Sequence, residues 1–243
     1  MDLLILFYDG IQASIRVLAM AEQAGSLKKI ASYFYPIILK TYRSGINGTL
    51  EVTLSNGRKI LDTARSNYSY GSVQRILTKG LIGIHFNNNI NSILVLGLGG
   101  GSIVQTIRTA FKSAAFITLV EIDPKMIAIA QEEFGIAAYP GIRIIQADAA
   151  DFIQTCQDSY DLIVVDVFII DTIPAIFTEP DFLISLTKRL RPGAKLIYNT
   201  MRQTLDRAVF HRLITLLAQQ GLRIKVAELQ EDTNDLILGE KNG

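Results

Sequence analysis

The chain has 243 residues, 49% of them hydrophobic, enough for one sizeable core with a smaller appendage. Its 24 basic and 23 acidic residues leave a net charge of +1, which gives no electrostatic case for nucleic acid or an anionic membrane surface. The single cysteine, Cys156, excludes an internal disulfide, and two histidines without a Cys/His cluster offer no metal-ligand spacing, so no metal is expected and a reducing, cytoplasmic setting fits.

Leu3 to Tyr8 is apolar and Ala19-Met20-Ala21 has the form of a signal-peptidase site, but Asp2 stands where a basic start belongs, and Asp9 and Arg16 break the run. We read residues 11–24 as an amphipathic helix within an extension over residues 1–26. Residues 27–90 form a small β unit followed by a helix. Tyr35 to Tyr42 is strand-like, Gly48 to Leu54 alternates, and Asn56-Gly57 marks a two-residue hairpin turn before Lys59 to Asp62. About three antiparallel strands are expected there, then a helix burying Val73, Ile76 and Leu77.

From residue 91 to 243, strand and helix alternate. That is the pattern of a parallel sheet wound with helices on both faces, so the fold class is α/β, doubly wound, with the small antiparallel β unit on its amino side. Ile93 to Leu96 reads as a buried strand, Gly97-Leu-Gly-Gly-Gly101 as a tight turn, and Ile103, Ile107 and Ala110 as one face of a helix. Phe116 to Val120 is the next strand with Glu121 at its carboxyl end. Asp123-Pro124 then caps a helix that Gly135 stops. Ile142 to Gln146 and Tyr160 to Asp166 are further strands, the first running into Ala147-Asp148-Ala149. Thr178-Glu-Pro-Asp181 opens a helix that Arg191-Pro-Gly193 closes. Lys195 to Tyr198 is a strand, residues 203–219 a helix, and Leu222 to Val226 with Asp235 to Leu238 two short strands able to pair antiparallel.

Glycines in the turn let a ligand approach backbone with no Cβ in the way. An acid ending the following strand is placed to accept hydrogen bonds from the two hydroxyls of an adenosine ribose. The glycines alone would serve close strand–helix packing equally well. Glu121 and Asp148, at successive strand ends, favour a nucleoside cofactor. A dinucleotide wants glycine where Ser102 stands, which puts NAD second. Asp123 and Asp181 read as helix caps, and His85, His211 and the helix-face Cys156 as residues without chemistry.

Four segments fall at the spacing of class I S-adenosylmethionine-dependent transferases: Gly97-Leu-Gly-Gly-Gly101, Glu121-Ile-Asp-Pro124, Gln146-Ala-Asp-Ala149 and Tyr160-Asp-Leu-Ile-Val-Val-Asp166. With the β unit and Tyr68-Ser-Tyr70 upstream, the chain resembles their spermidine synthase-like branch. The resemblance implies a class I methyltransferase, Rossmann-like sheet of about seven strands, mostly parallel, the last antiparallel. It implies S-adenosylmethionine or its decarboxylated form as co-substrate, with Gly97, Gly99, Gly100 and Gly101 under its tail and ribose. Glu121 would take the ribose hydroxyls, Ile122 the adenine face, and Asp148 with Ala149 the adenine amino edge. Asp166, helped by Asp171, would be the base facing the acceptor, and Tyr70 would line the pocket. The implied acceptor is a small amine, the group transferred methyl or aminopropyl, and a second copy of the chain a candidate partner.

Departures from that branch bear on the acceptor. Gly100 stands where the branch carries an aspartate for the donor's ammonium. The acidic segment becomes the apolar, longer Asp166-Val-Phe-Ile-Ile-Asp171, and Tyr70-Gly-Ser72 replaces Tyr-His-Glu. Each change removes a charge a polyamine wants, which points to an acceptor less cationic than putrescine or to a water-excluding gate over residues 167–177. An NAD-linked oxidoreductase and a non-catalytic adenosyl-binding module are the alternatives.

Overall fold

The structure, a computed structural model, describes residues 25–63, 67–69, 71–169, 172–231 and 233–243. The expectations for residues 1–24, Tyr70 and Asp171 lie outside the described residues.

After α1 (residues 25–31), β1 (Ile37–Ser44), β2 (Gly48–Ser55), β3 (Arg58–Thr63) and β4 (Asn67–Ser69) pair antiparallel in that order. Sequence pattern predicts three strands; the fourth, β4, pairs with Leu61 and Asp62 of β3 over too few residues to leave an alternation. Asn56 and Gly57 form the β2–β3 turn at φ 49° and 72°, the left-handed pair whose twist suits a two-residue hairpin.

The second sheet holds β5 (Ser92–Leu96), β6 (Phe116–Glu121), β7 (Ile142–Gln146), β8 (Tyr160–Val165), β9 (Leu190–Met201), β10 (Leu222–Gln230) and β11 (Asn234–Lys241). Their order is β10-β11-β9-β8-β5-β6-β7, with β5 to β9 parallel and β11 antiparallel to both its neighbours. Six helices accompany them: α2 (Gly71–Gly83), α3 (Ser102–Thr109), α4 (Pro124–Glu132), α5 (Ala149–Thr155), α6 (Pro180–Lys188) and α7 (Arg207–Gln219).

The period-two alternation of the central strands decides which helices they meet. Leu94, Leu96, Ile163 and Val165 pack with Phe182 and Leu186 of α6 and with Phe210 and Leu213 of α7. Ile93, Val95, Leu162 and Val164 face the other way, onto Ile76 and Leu81 of α2 and Ile103 and Ile107 of α3. Both faces are covered, which is why these strands read as unbroken apolar runs.

The β unit docks on α4. Leu50, Val52 and Leu61 pack on Met126 and Ile129, while Lys40, Tyr42 and Lys59 converge on Glu133 just past the helix. Asp123 caps α4 by accepting from the Lys125 N–H, and its other oxygen accepts from Ser44 Oγ and Asn47 Nδ2, which ties the β1–β2 turn to the sheet.

Several boundaries differ from expectation. α6 closes at Lys188, and Arg191-Pro-Gly193 bulges within β9 between the Leu190 and Lys195 pairings. Asp181 is not that helix's cap: Glu179 holds the position and Asp181 lies in the first turn, where the helix dipole favours an acid. α7 starts at Arg207 because Asp206 accepts from the Ala208 and Val209 N–H groups and fixes the start there. Cys156 ends α5 rather than lying on its face, with Sγ 3.6 Å from the Tyr160 hydroxyl. Among the described residues no helix is long and apolar enough to cross a membrane.

Candidate active site

β5, β6 and β7 step outward in one direction, and the chain then returns to lay β8 on the other side of β5. At such a reversal the loops leaving adjacent strands diverge and open a crevice beyond the carboxyl ends. A cavity of about 400 Å³ lies there, bordered by Gly97, Glu121, Asp148 and Asp166 from the ends of β5, β6, β7 and β8.

Gly97, at φ 88°, passes so close to β8's exit that a Cβ would come within 2.1 Å of the Asp166 carbonyl oxygen. Only glycine lets the two strand ends lie side by side. Gly99 borders the cavity as well, whereas Gly100 is buried behind the turn and Gly101 is packed on Ile136 at the start of α3. The turn therefore offers two of its four predicted glycines to the cavity wall.

Glu121 is 8% exposed, with Oε2 accepting from the Leu98 N–H and Oε1 from the Asp123 N–H, both at 2.9 Å. Each oxygen keeps a further lone pair, so a carboxylate held from behind still accepts two hydroxyls from the cavity side. Burial pushes its carboxyl up from the ordinary value, and the backbone N–H groups pull it back. Ile122 and Ala149 supply apolar surface beside it. Asp148 Oδ1 caps α5 through the Ala150 N–H at 2.7 Å, which leaves Oδ2 for a donor in the cavity.

Asp166 marks the other end, its N–H bonded to the Leu96 carbonyl at 2.8 Å. Burial raises its carboxyl to about 6, against the pull of Asn199 Nδ2, which donates to Oδ1 at 2.8 Å. Phe168, Ile169, Pro174, Ile176 and Phe177 make an apolar wall. That wall is pinned where the buried Tyr198 hydroxyl donates to the Phe177 carbonyl at 2.7 Å, and where Ile169 and Thr172 exchange backbone hydrogen bonds.

Three bordering asparagines escaped sequence reasoning. Asn47 reaches the cavity from the β1–β2 turn, Asn199 from β9 and Asn234 from β11. A polar residue inside an apolar run such as Leu196-Ile-Tyr-Asn199 is the signal that could have found one of them. Three carboxylates and no lysine or arginine border the cavity among the described residues, a set suited to a cationic ligand.

Fold and site together define a doubly wound α/β protein with a cavity at the switch point, bordered by the strand-end carboxyls Glu121 and Asp166. A model of the spermine/spermidine synthase domain matches residues 74–228, and the chain belongs to that family. It is similar to the "Probable polyamine aminopropyl transferase" of Bifidobacterium longum, 30% identical over 161 residues, 62% of this chain and 34% of that protein. It is also similar to the eEF1A lysine and N-terminal methyltransferase of Danio rerio, 27% identical over 167 residues, 62% of this chain and 24% of that one. The chain thus spans 34% and 24% of the length of the two. A crystal structure of a probable spermidine synthase from Corynebacterium glutamicum superposes with TM-score 0.62 over 84% of this chain and 80% of that one at 18% identity, a likeness of fold.

Proposed function

We propose that the protein is an alkyl transferase using S-adenosylmethionine or its decarboxylated form, with a small amine-type acceptor. The observation that carries this reading is the pairing, across one cavity, of the backbone-held Glu121 carboxylate with the half-buried Asp166 carboxyl. The donor, when bound, supplies a carbon already activated by a sulfonium. Glu121 would hold the ribose hydroxyls, Ile122 and Ala149 the adenine, and Asp148 Oδ2 the adenine amino group. What remains for the chain is alignment and the acceptor's proton. An ammonium must lose a proton before it attacks, and Asp166 is the base, ionised above about pH 6. The apolar wall of Phe168, Ile169, Ile176 and Phe177 offers no charged group beside Asp166 and suits an acceptor less cationic than a diamine. Whether methyl or aminopropyl is transferred rests on the donor the site prefers.

Calorimetric titration with S-adenosylmethionine, its decarboxylated form, methylthioadenosine and NAD tests this reading, coupled to mass spectrometry of an amine panel incubated with each donor. Binding of an adenosyl donor and a mass gain on an amine support it. Binding of NAD alone, or donor binding with no transfer to any amine, overturns it.

A further inference from the structure

We propose, resting on the reading of Asp166 as proton acceptor, that Asn199 and Asn234 are positioning residues which hold its carboxyl through one hydrogen-bonded file. Thr233 Oγ1 donates to Asn234 Oδ1 at 2.6 Å, Asn234 Nδ2 to Asn199 Oδ1 at 2.9 Å, and Asn199 Nδ2 to Asp166 Oδ1 at 2.8 Å. Every donor points towards the acid. An amide has one donating and one accepting end, so each link fixes the next. A hydroxyl proton given to Asn234 turns that amide's NH2 towards Asn199, and Asn199 in turn offers its own NH2 to Asp166. The file ends on Oδ1 and leaves Oδ2 to the cavity.

The sheet sets the spacing of the file. Asn199 pairs with Leu236 and Asn234 with Met201 in the β9–β11 ladder, so the two amides stay in register. They are 2% and 3% exposed, and a buried amide without a partner is costly, so neither turns away. Other ionisable groups nearby are committed elsewhere. Glu121 is held by backbone N–H groups, Asp148 caps α5, and Asp235, the next residue of β11, pairs with Arg202 and Arg207. The Asn199 amide is what favours the ionised form of Asp166 against burial.

Titration of the Asp166 carboxyl carbon by NMR in the full chain reads the file without requiring turnover. The wild-type midpoint is expected at about 6. Asn199→Leu raises it by ~1 unit, because burial then acts unopposed. Asn234→Leu, which removes a side chain that does not touch Asp166, raises it by a smaller amount, and Asn234→Gln, which keeps an amide, returns it towards wild type. The acid limb of kcat/KM moves in the same order. An Asn234→Leu midpoint equal to wild type overturns the proposal. Should that variant fail to fold, Thr233→Val at the outer end decides instead: a rise supports the file and an unmoved midpoint refutes it. Midpoints that move as expected in a chain that alkylates nothing would sink the function and leave the file standing. Transfer with midpoints indifferent to residue 234 would do the reverse.

Discussion

The two ends of the cavity are built by opposite means. At the Glu121 end, backbone does the holding: two N–H groups grip the carboxylate, and Gly97 and Gly99 bring main chain to the wall. At the Asp166 end, side chains do it, through amides contributed by β9 and β11. A backbone-built end tolerates little change without loss of the strand ends themselves. A side-chain-built end can be altered one residue at a time. On the proposed function, the contrast would make donor recognition part of the fold itself and leave the proton-handling end open to separate retuning.

Breaking the second end alone should give the largest effect on rate. Asp166→Asn is expected to slow transfer ~10²–10⁴-fold, the usual worth of a positioned base, with donor affinity retained in calorimetry. Its stability profile sharpens the point. Asp166 at about 6 lies above the ordinary 3.8, so its contribution to stability is full below 3.8 and is lost as pH rises through 6. Asp166→Asn should lack that decline in thermal melts between those pH values. Gly97→Ala, by contrast, should damage both ends together. A side chain at φ 88° against the Asp166 carbonyl costs at least ~1–3 kcal/mol from backbone conformation alone, read by urea unfolding, and binding and transfer fall with it. Glu121→Gln should weaken donor binding by ~10–100-fold, the loss of charge-assisted hydrogen bonds, while the Asp166 titration stays put.

The smallest effect lies outside the cavity. Burial would raise the Glu133 carboxyl, but Lys40, Lys59 and Tyr42 overcome it and hold it down at about 2. A depressed carboxyl contributes stability above its ordinary 4.5 that is lost as pH falls through 2. Because both lysines are largely exposed, Glu133→Gln should cost only about 1 kcal/mol at neutral pH in denaturant titration, with kcat unchanged.

The contrast between the two ends also explains what the sequence made legible. The central strands were readable because burial on both faces leaves unbroken apolar runs, as in Leu162-Ile-Val-Val165. The positions of Glu121 and Asp148 were readable because one closes the strand after the glycine turn and the other caps the helix that follows the next strand. Asn199 and Asn234 were not, because their meaning lies in a partner 35 positions away across an antiparallel pair. For Gly100 and Gly101, the motif fixes their place in the turn, but packing decides that Gly97 and Gly99 are the ones that border the cavity. The short β4 and the start of α7 depended on local pairings and a single cap, Asp206, that leave no periodicity.

A crystal structure of the protein with methylthioadenosine tests the central claim most directly. The account predicts both ribose hydroxyls within hydrogen-bonding distance of Glu121, with the thioether end pointing towards Asp166. Nucleoside density elsewhere on the surface, or a ribose turned away from Glu121, would contradict it.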